Sequence, residues 1–245
     1  MRTLQIILCL TLAFPLFAQE ITVNPNRPTF ATPAATTQEG VLEVEYGLQR
    51  TTFRDTTVAS QTPALLKWGA GEDFEFRFSS PGLMKNPDGV GDFSLGAQWC
   101  CYSGAFDQAF QVTHKFVTAN AGVTSGHGDT MLMAILSKST EHYHLDTNIL
   151  VNYLGTDTGV VRQPAATISL TRTLTPKWTV TSEVYAIGGT RLGEHIVSNL
   201  WCVAYSVSKR LVLDTGVDMG LTHGAPRYSI LVGLTYGIAR IGSLR

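Results

Sequence analysis

Two Asp-Thr-Gly triplets, Asp157-Thr158-Gly159 and Asp214-Thr215-Gly216, are the residues in this chain that look most like an active site. Aspartic-protease chemistry needs two such loops face to face, so that their carboxylates share one proton. Only the second triplet has an apolar lead-in, Leu211-Val212-Leu213, and the interval between the two is too short for a lobe of such an enzyme. They read as chance matches to a short motif. His142 and His144 share a face at strand spacing and could hold a metal, but His114, His127, His195 and His223 are scattered over other segments, so no metal is expected. A rim hydrolase or acyltransferase would need a placed Ser and His, and no triad can be assigned. Cys100 and Cys101 are adjacent, point to opposite faces of a strand, and with Cys202 read as small apolar fillers. The sequence therefore predicts no catalytic residue, no metal and no cofactor.

The elements that carry these residues explain more than the residues do. The chain has 245 residues, 44% hydrophobic, but only 15% charged, with 23 Gly and a net charge of −1. That balance excludes a disordered chain and speaks against a nucleic-acid partner. The charged share is also well below the roughly 25% of soluble domains, which suits a β-rich protein whose outer face does not meet water. Residues 1–18 read as a secretory signal, with Arg2 before an apolar stretch from Leu4 to Leu16. Nothing later is apolar for long enough to span a membrane as a helix.

From Val41 onward the chain alternates with period two, the pattern of strands. Leu42, Val44, Tyr46 and Leu48 oppose Glu43, Glu45, Gly47 and Gln49; Phe74, Phe76 and Phe78 oppose Glu75, Arg77 and Ser79. Turn residues divide the chain into about twelve such segments, with short connections alternating with longer Gly-rich ones, among them Gly155–Gln163. The expected fold is all-β: a single transmembrane antiparallel up-and-down barrel over 41–242, after a segment 19–40 in the periplasm or the lumen. Trp68, Trp99 and Trp178 fall at one rim of this arrangement, where aromatic rings collect at a membrane interface, and Trp201 falls mid-strand. The competing fold is a soluble secreted lipocalin-like carrier with the apolar faces turned inward.

If the apolar faces meet lipid, the polar set lines an enclosed space: Glu43, Glu45, Lys67, Glu75, Arg77, Lys115, Asp146, Asn148, Asn152, Glu183, Asp214 and Asp218. Each Arg or Lys at the midplane of a bilayer would otherwise cost roughly 2–4 kcal/mol. The early strands then form a mixed-sign wall and the later ones an acidic wall, which would sort solutes by charge. Met131–Leu136 is apolar on both faces and would give the interior a greasy patch. Gln19–Gln38, with Pro25, Pro28 and Pro33 and no alternation, is no strand; folded inward it would act as a plug, with Arg27 meeting the acidic wall.

Asn26-Arg27-Pro28, followed by Gly40-Val41-Leu42-Glu43-Val44-Glu45-Tyr46-Gly47, resembles the MetA-pathway of phenol degradation family of outer-membrane transporters. Gly89-Val90-Gly91-Asp92 before Phe93-Ser94-Leu95-Gly96, and Asp214–Gly220 with Ala225-Pro226 and Gly233, extend the resemblance over most of the chain. Two features depart from the family pattern. Asn26 stands where Asp is usual, which removes an ion-pair partner near Arg27. The chain also runs on to Gly242-Ser243-Leu244-Arg245, whereas barrel-assembly signals finish on an aromatic residue; Tyr236 or Ile238 would serve instead. The resemblance implies a channel in the cell outer membrane, in contact with lipid, small solutes and the barrel-assembly machinery. The expected role is passive uptake of small solutes, aromatic or moderately hydrophobic ones among them. The alternative is a closed barrel serving structurally or as an adhesin.

Overall fold

Alternation with period two turns every second side chain to the same side, so a closed sheet built from such strands must have one apolar and one polar wall. The computed structural model describes residues 20–189 and 195–244. Residues 1–18, read above as a secretory signal, lie outside the described residues. The strands are β1 (Val41–Thr52), β2 (Val58–Gln61), β3 (Ala64–Gly71), β4 (Phe74–Ser80), β5 (Leu83–Lys85), β6 (Gly89–Val90), β7 (Ser94–Tyr102) and β8 (Asp107–Lys115). They continue with β9 (Asp129–Ser139), β10 (Tyr143–Thr156), β11 (Gly159–Thr175), β12 (Trp178–Ile187), β13 (Ile196–Ser208), β14 (Leu211–Gly220) and β15 (Tyr228–Arg240).

Twelve of them, β1, β3, β4 and β7 to β15, pair antiparallel with their neighbours, and β15 pairs back with β1 from Val41↔Arg240 to Thr52↔Tyr228. Closure leaves no edge strand in the wall, which a spanning sheet requires. The short β2 continues the pairing of β1 beyond the wall, and β5 and β6 attach to it inside the long connection after β4. One correction concerns the expected loop Gly155–Gln163. There β10 and β11 continue as a hairpin, with Thr156 opposite Gly159 and Tyr153 opposite Arg162, and only Asp157 and Thr158 between the strands. The glycines that suggest a loop serve a tight turn: Gly159 adopts φ +131°, which an L side chain rarely adopts.

Chain ends and tight connections lie together. Val41, Arg240 and the turns at 72–73, 103–106, 140–142, 176–177 and 209–210 share one end of the barrel, which we call the periplasmic end; the larger loops share the other. Outward side chains form an apolar band that includes Leu48, Phe78, Phe110, Ile149, Val217 and Ile230. A continuous exposed band of this kind belongs against lipid rather than water, which removes the lipocalin-like alternative. Trp99 and Trp178 sit in this outer face beside the periplasmic turns. Trp68, near the same rim, donates from its indole N–H to the carbonyl of Gly242 at 2.9 Å.

Candidate functional site

The polar wall turns inward and is occupied by residues 20–38. With three prolines and no alternation this stretch cannot join the sheet, yet its backbone N–H groups are buried and need acceptors. Inward side chains supply them. The N–H of Asn24 donates to Glu43 at 2.8 Å, and those of Asn26 and Arg27 to the two oxygens of Glu45 at 2.8 and 3.0 Å. Phe30 and Ala31 donate to the two oxygens of Glu183 at 2.8 and 2.6 Å. Thr32 donates to Asn148 Oδ1 at 2.7 Å, Ala34 to Ser137 Oγ at 2.8 Å, and Thr37 to Glu75 at 2.6 Å. The prolines, which have no N–H, fall between these bonded residues.

Segment 20–38 is a loop with a closed neck at the periplasmic end. Val23 N–H donates to Lys209 O at 2.9 Å, Asn24 Nδ2 donates to Ala35 O at 2.8 Å, and Thr22 N–H donates to Gln38 Oε1 at 3.1 Å. Its tip crosses the lumen, where Phe30 stacks on Tyr185 with ring centroids 5.0 Å apart. Glycines in the wall make room for it. A Cβ on Gly69 would lie 2.3 Å from the Gln38 carbonyl, and one on Gly237 would lie 2.5 Å from Ile21.

Charged residues inside are paired with one another or with the segment. Lys67 is wholly buried, 2.6 Å from Glu43, 2.7 Å from Glu45 and 2.9 Å from Asn26 Oδ1, and it also donates to the Asn24 carbonyl. Asn26 thus turns to Lys67 rather than to Arg27, whatever the family's usual residue does. Arg77 bonds Glu75 at 2.6 Å and Gln98 at 3.3 Å. The Arg27 guanidinium reaches Asp214 through Nε and Nη2, both at 3.4 Å. Tyr185 donates to Asp218 at 2.8 Å, Ser137 to Asp146 at 2.5 Å, and Asn152 to Gln163 at 3.2 Å. Lys115, toward the outer rim, pairs with Asp129 at 2.6 Å. Every residue of the expected inward set therefore points inward, and seven of them, Glu43, Glu45, Lys67, Glu75, Asn148, Glu183 and Asp214, touch the N-terminal segment.

Selection by charge in the sequence passes over the neutral inward groups. Gln98 donates to the carbonyls of Pro33 and Ala34, and Ser137 and Thr167 complete the cradle. Strand parity is the signal that finds them, since Gln98 is in register with Glu75. The inward side of β9 is apolar: Met133 and Ile135 cluster with Cys100, Ala109, Leu150 and Ala165, and Ala34 of the segment rests on them. Two of the cavities among the described residues lie beside the segment. One of about 630 Å³ opens on the periplasmic side between the segment and β10 to β14; the other, of about 250 Å³, lies against β1, β3 and β4. Arg27, Pro28 and Thr29 line both.

The residues that suggest enzyme chemistry are not assembled. Asp157 is in the outer β10–β11 turn beside His127, whereas Asp214 is inside the barrel on Arg27. His144 faces inward 2.9 Å from Asp146, His142 lies in the turn before it, and among the described residues no three His, Cys, Asp or Glu side chains converge.

A closed twelve-stranded antiparallel wall, apolar outside and polar inside, defines an outer-membrane-type, porin-like β-barrel. The chain belongs to the MetA-pathway of phenol degradation family, whose profile matches residues 25–238. Among solved structures it is similar to an outer membrane channel from Pseudomonas putida F1, with TM-score 0.67, 11% identity, and 88% of this chain and 100% of that one covered. It is also similar to the KdgM porin in complex with disordered oligogalacturonate (TM-score 0.60, 9% identity, 80% and 99% covered) and to the NanC porin (TM-score 0.58, 11% identity, 80% and 100% covered). At such identities the likeness is one of fold. No curated protein sequence matches the chain.

Proposed function

We propose that this protein is an outer-membrane channel whose lumen is held shut by its own residues 20–38, and that it passes small, moderately hydrophobic solutes, aromatic ones included, when that segment shifts. The observation that carries this reading is the two-sided interior. Glu43, Glu45, Lys67, Glu75 and Arg77 stand on one wall, and Met133, Ile135, Leu150 and Ala165 on another. A passage with one polar and one apolar wall favours solutes that have both kinds of surface over bare ions. Two cavities that share residues 27–29 in their lining are consistent with a short barrier between them. Residues 1–18 would direct the chain across the inner membrane, and the inward set named above would line the passage.

The same bonds would also suit a permanently closed structural barrel, and a liposome-swelling assay separates the two. The full chain and a form lacking Ile21–Thr37 would be compared over sugars, amino acids and aromatic acids. Swelling that is slow for the full chain and fast for the deletion supports the channel, whereas no swelling from either overturns it.

A further inference from the structure

The charges a passing solute would meet differ from those the strands carry in greatest number. Acidic residues dominate the later strands, and many of the inward carboxylates are already engaged, although Asp214 Oδ2 and Asp218 Oδ1 accept no hydrogen bond. Glu45 accepts from the N–H groups of Asn26 and Arg27 and lies 2.7 Å from Lys67. Glu183 accepts from Phe30, Ala31 and Thr167, and Glu75 from Thr37 and Arg77. Asp146, on the periplasmic cavity, is held by Ser137 and His144. Two of the cations on the cavities are paired as well, Arg77 with Glu75 and Lys209 with Glu20, each at 2.6 Å. Arg27 lines both, Arg77 lines the outer one, and Lys177 and Lys209 line the periplasmic one near its mouth. The Arg27 contact is also the loosest ion pair on the segment. It spans 3.4 Å and Nε makes no hydrogen bond, against 2.6–2.7 Å for Lys67 and its carboxylates.

From this arrangement we propose that the passage selects small organic anions with an apolar body, and that Arg27 is the residue that recognises their carboxylate. A guanidinium prefers a carboxylate that it can grip with two short parallel N–H bonds, whereas both of its contacts with Asp214 are stretched to 3.4 Å and Nη2 is shared with the Val232 carbonyl at 3.2 Å. A solute carboxylate reaching the outer cavity meets Arg27 and Arg77 together. Transfer of the Arg27 guanidinium from Asp214 to the solute loosens residues 27–29, which line both cavities. Lys177 and Lys209 then draw the anion toward the periplasmic mouth. The proposal rests on the channel reading above and adds to it the sign of the cargo.

Zero-current potentials across planar bilayers holding the full chain test it, with potassium benzoate as the anionic probe and benzyltrimethylammonium chloride as a cation of similar body. Benzoate is expected to be favoured by about tenfold, the low end of the gain that electrostatic steering gives. Arg27→Gln should bring the ratio near one while Arg27→Lys keeps part of it. Lys177→Glu, in an exposed turn that does not touch the segment's bonds, should lower it without affecting assembly. A full chain that prefers the cation, or a ratio unmoved in both Arg27→Gln and Lys177→Glu, overturns the proposal. Current from the Ile21–Thr37 deletion alone also overturns it and leaves the channel reading standing. No current from either form overturns both.

Discussion

Arg27 occupies the space that Gly233 leaves by having no side chain. A Cβ at that position would lie 2.4 Å from Nε and 2.5 Å from Nη2, both at the far end of a flexible side chain. Gly47, opposite Gly233 in the β1–β15 register, bounds the same slot, but a Cβ there would also lie 2.5 Å from the Val232 carbonyl. The two substitutions should therefore separate. Gly233→Ala should dislodge Arg27 and raise single-channel conductance while the barrel keeps its heat-modifiable mobility on gels. Gly47→Ala should also weaken the barrel, because backbone has to move. Unchanged conductance in Gly233→Ala would show that Arg27 is no part of the barrier.

Glu183 holds the tip of the segment through Phe30 and Ala31, and each hydrogen bond to a charged group is worth about 1.5–3 kcal/mol. Glu183→Ala removes both acceptors, so amide exchange at Phe30 and Ala31 should speed up by about 10- to 100-fold. Glu183→Gln keeps one acceptor and should fall between. Hydrogen exchange read by mass spectrometry checks this, and equal protection in all three forms would place the tip's stability elsewhere.

Asp92 lies outside the spanning strands, where it ties down the outer loop after β8. Burial pushes its pKa up, but the Thr124 hydroxyl, the N–H groups of Ala119 and Thr118 and nearby Lys115 together outweigh that and hold it below its ordinary value of 3.8. A group whose pKa is lower in the folded state stabilises above its unfolded value and loses that contribution as pH falls through the folded one. The 116–128 loop should thus stay protected at neutral pH and become protease-sensitive under acid conditions below about pH 4. Asp92→Asn should show the sensitivity at neutral pH. Cleavage that ignores both pH and the substitution would refute the anchor.

Parity made the wall legible in the sequence, since Glu43, Glu45, Glu75 and Glu183 could face only one way once Leu42, Val44, Phe76 and Val184 faced lipid. The prolines likewise showed that 19–38 was not a strand. Where that segment goes is not written locally, because its acceptors are far along the chain: Glu183 lies 153 residues beyond Phe30, and Asp214 lies 187 beyond Arg27. Which inward carboxylates serve the segment was hidden for the same reason, as counting acids on strands cannot reveal which are bonded to backbone. Gly155–Gln163 misled because composition outweighed the alternation that continues through Val161 and Gln163.

Ile149, 67% exposed at mid-strand on β10, is placed to test the outward face. Replacing it with Arg should cost about 2–4 kcal/mol of folding stability in lipid, the penalty for a cation near the midplane of a barrel wall. Asn148, its neighbour on the opposite face, should tolerate Gln far better in the wall, with the loss confined to the two bonds it makes with the Thr32 backbone. Urea titration of folding into phosphatidylcholine vesicles measures both. Equal tolerance at the two positions would contradict the orientation of the sheet.

Lys67 shows how closely barrel and segment depend on each other. It is fully buried between Glu43 and Glu45, and it bonds the Asn24 carbonyl and the Asn26 side chain. Breaking a buried ion pair by removing one partner costs about 3–5 kcal/mol, because the remaining charge is left uncompensated. Lys67→Met leaves two carboxylates in that state, so it should lower the yield of folded barrel and the midpoint of thermal unfolding more than any other single change discussed above. Adding Glu43→Gln and Glu45→Gln removes the stranded charges and should restore much of the barrel. It should not restore the segment. Glu45 uses both oxygens, for Asn26 and Arg27, and a glutamine offers only one acceptor and turns an N–H toward the other donor. The triple variant is therefore expected to fold with a well-formed wall yet show raised conductance and faster exchange at Asn26 and Arg27. A triple variant as unstable as Lys67→Met would mean that the ion pairs contribute more than charge compensation, whereas one with an undisturbed segment would show that Glu45 is not its anchor.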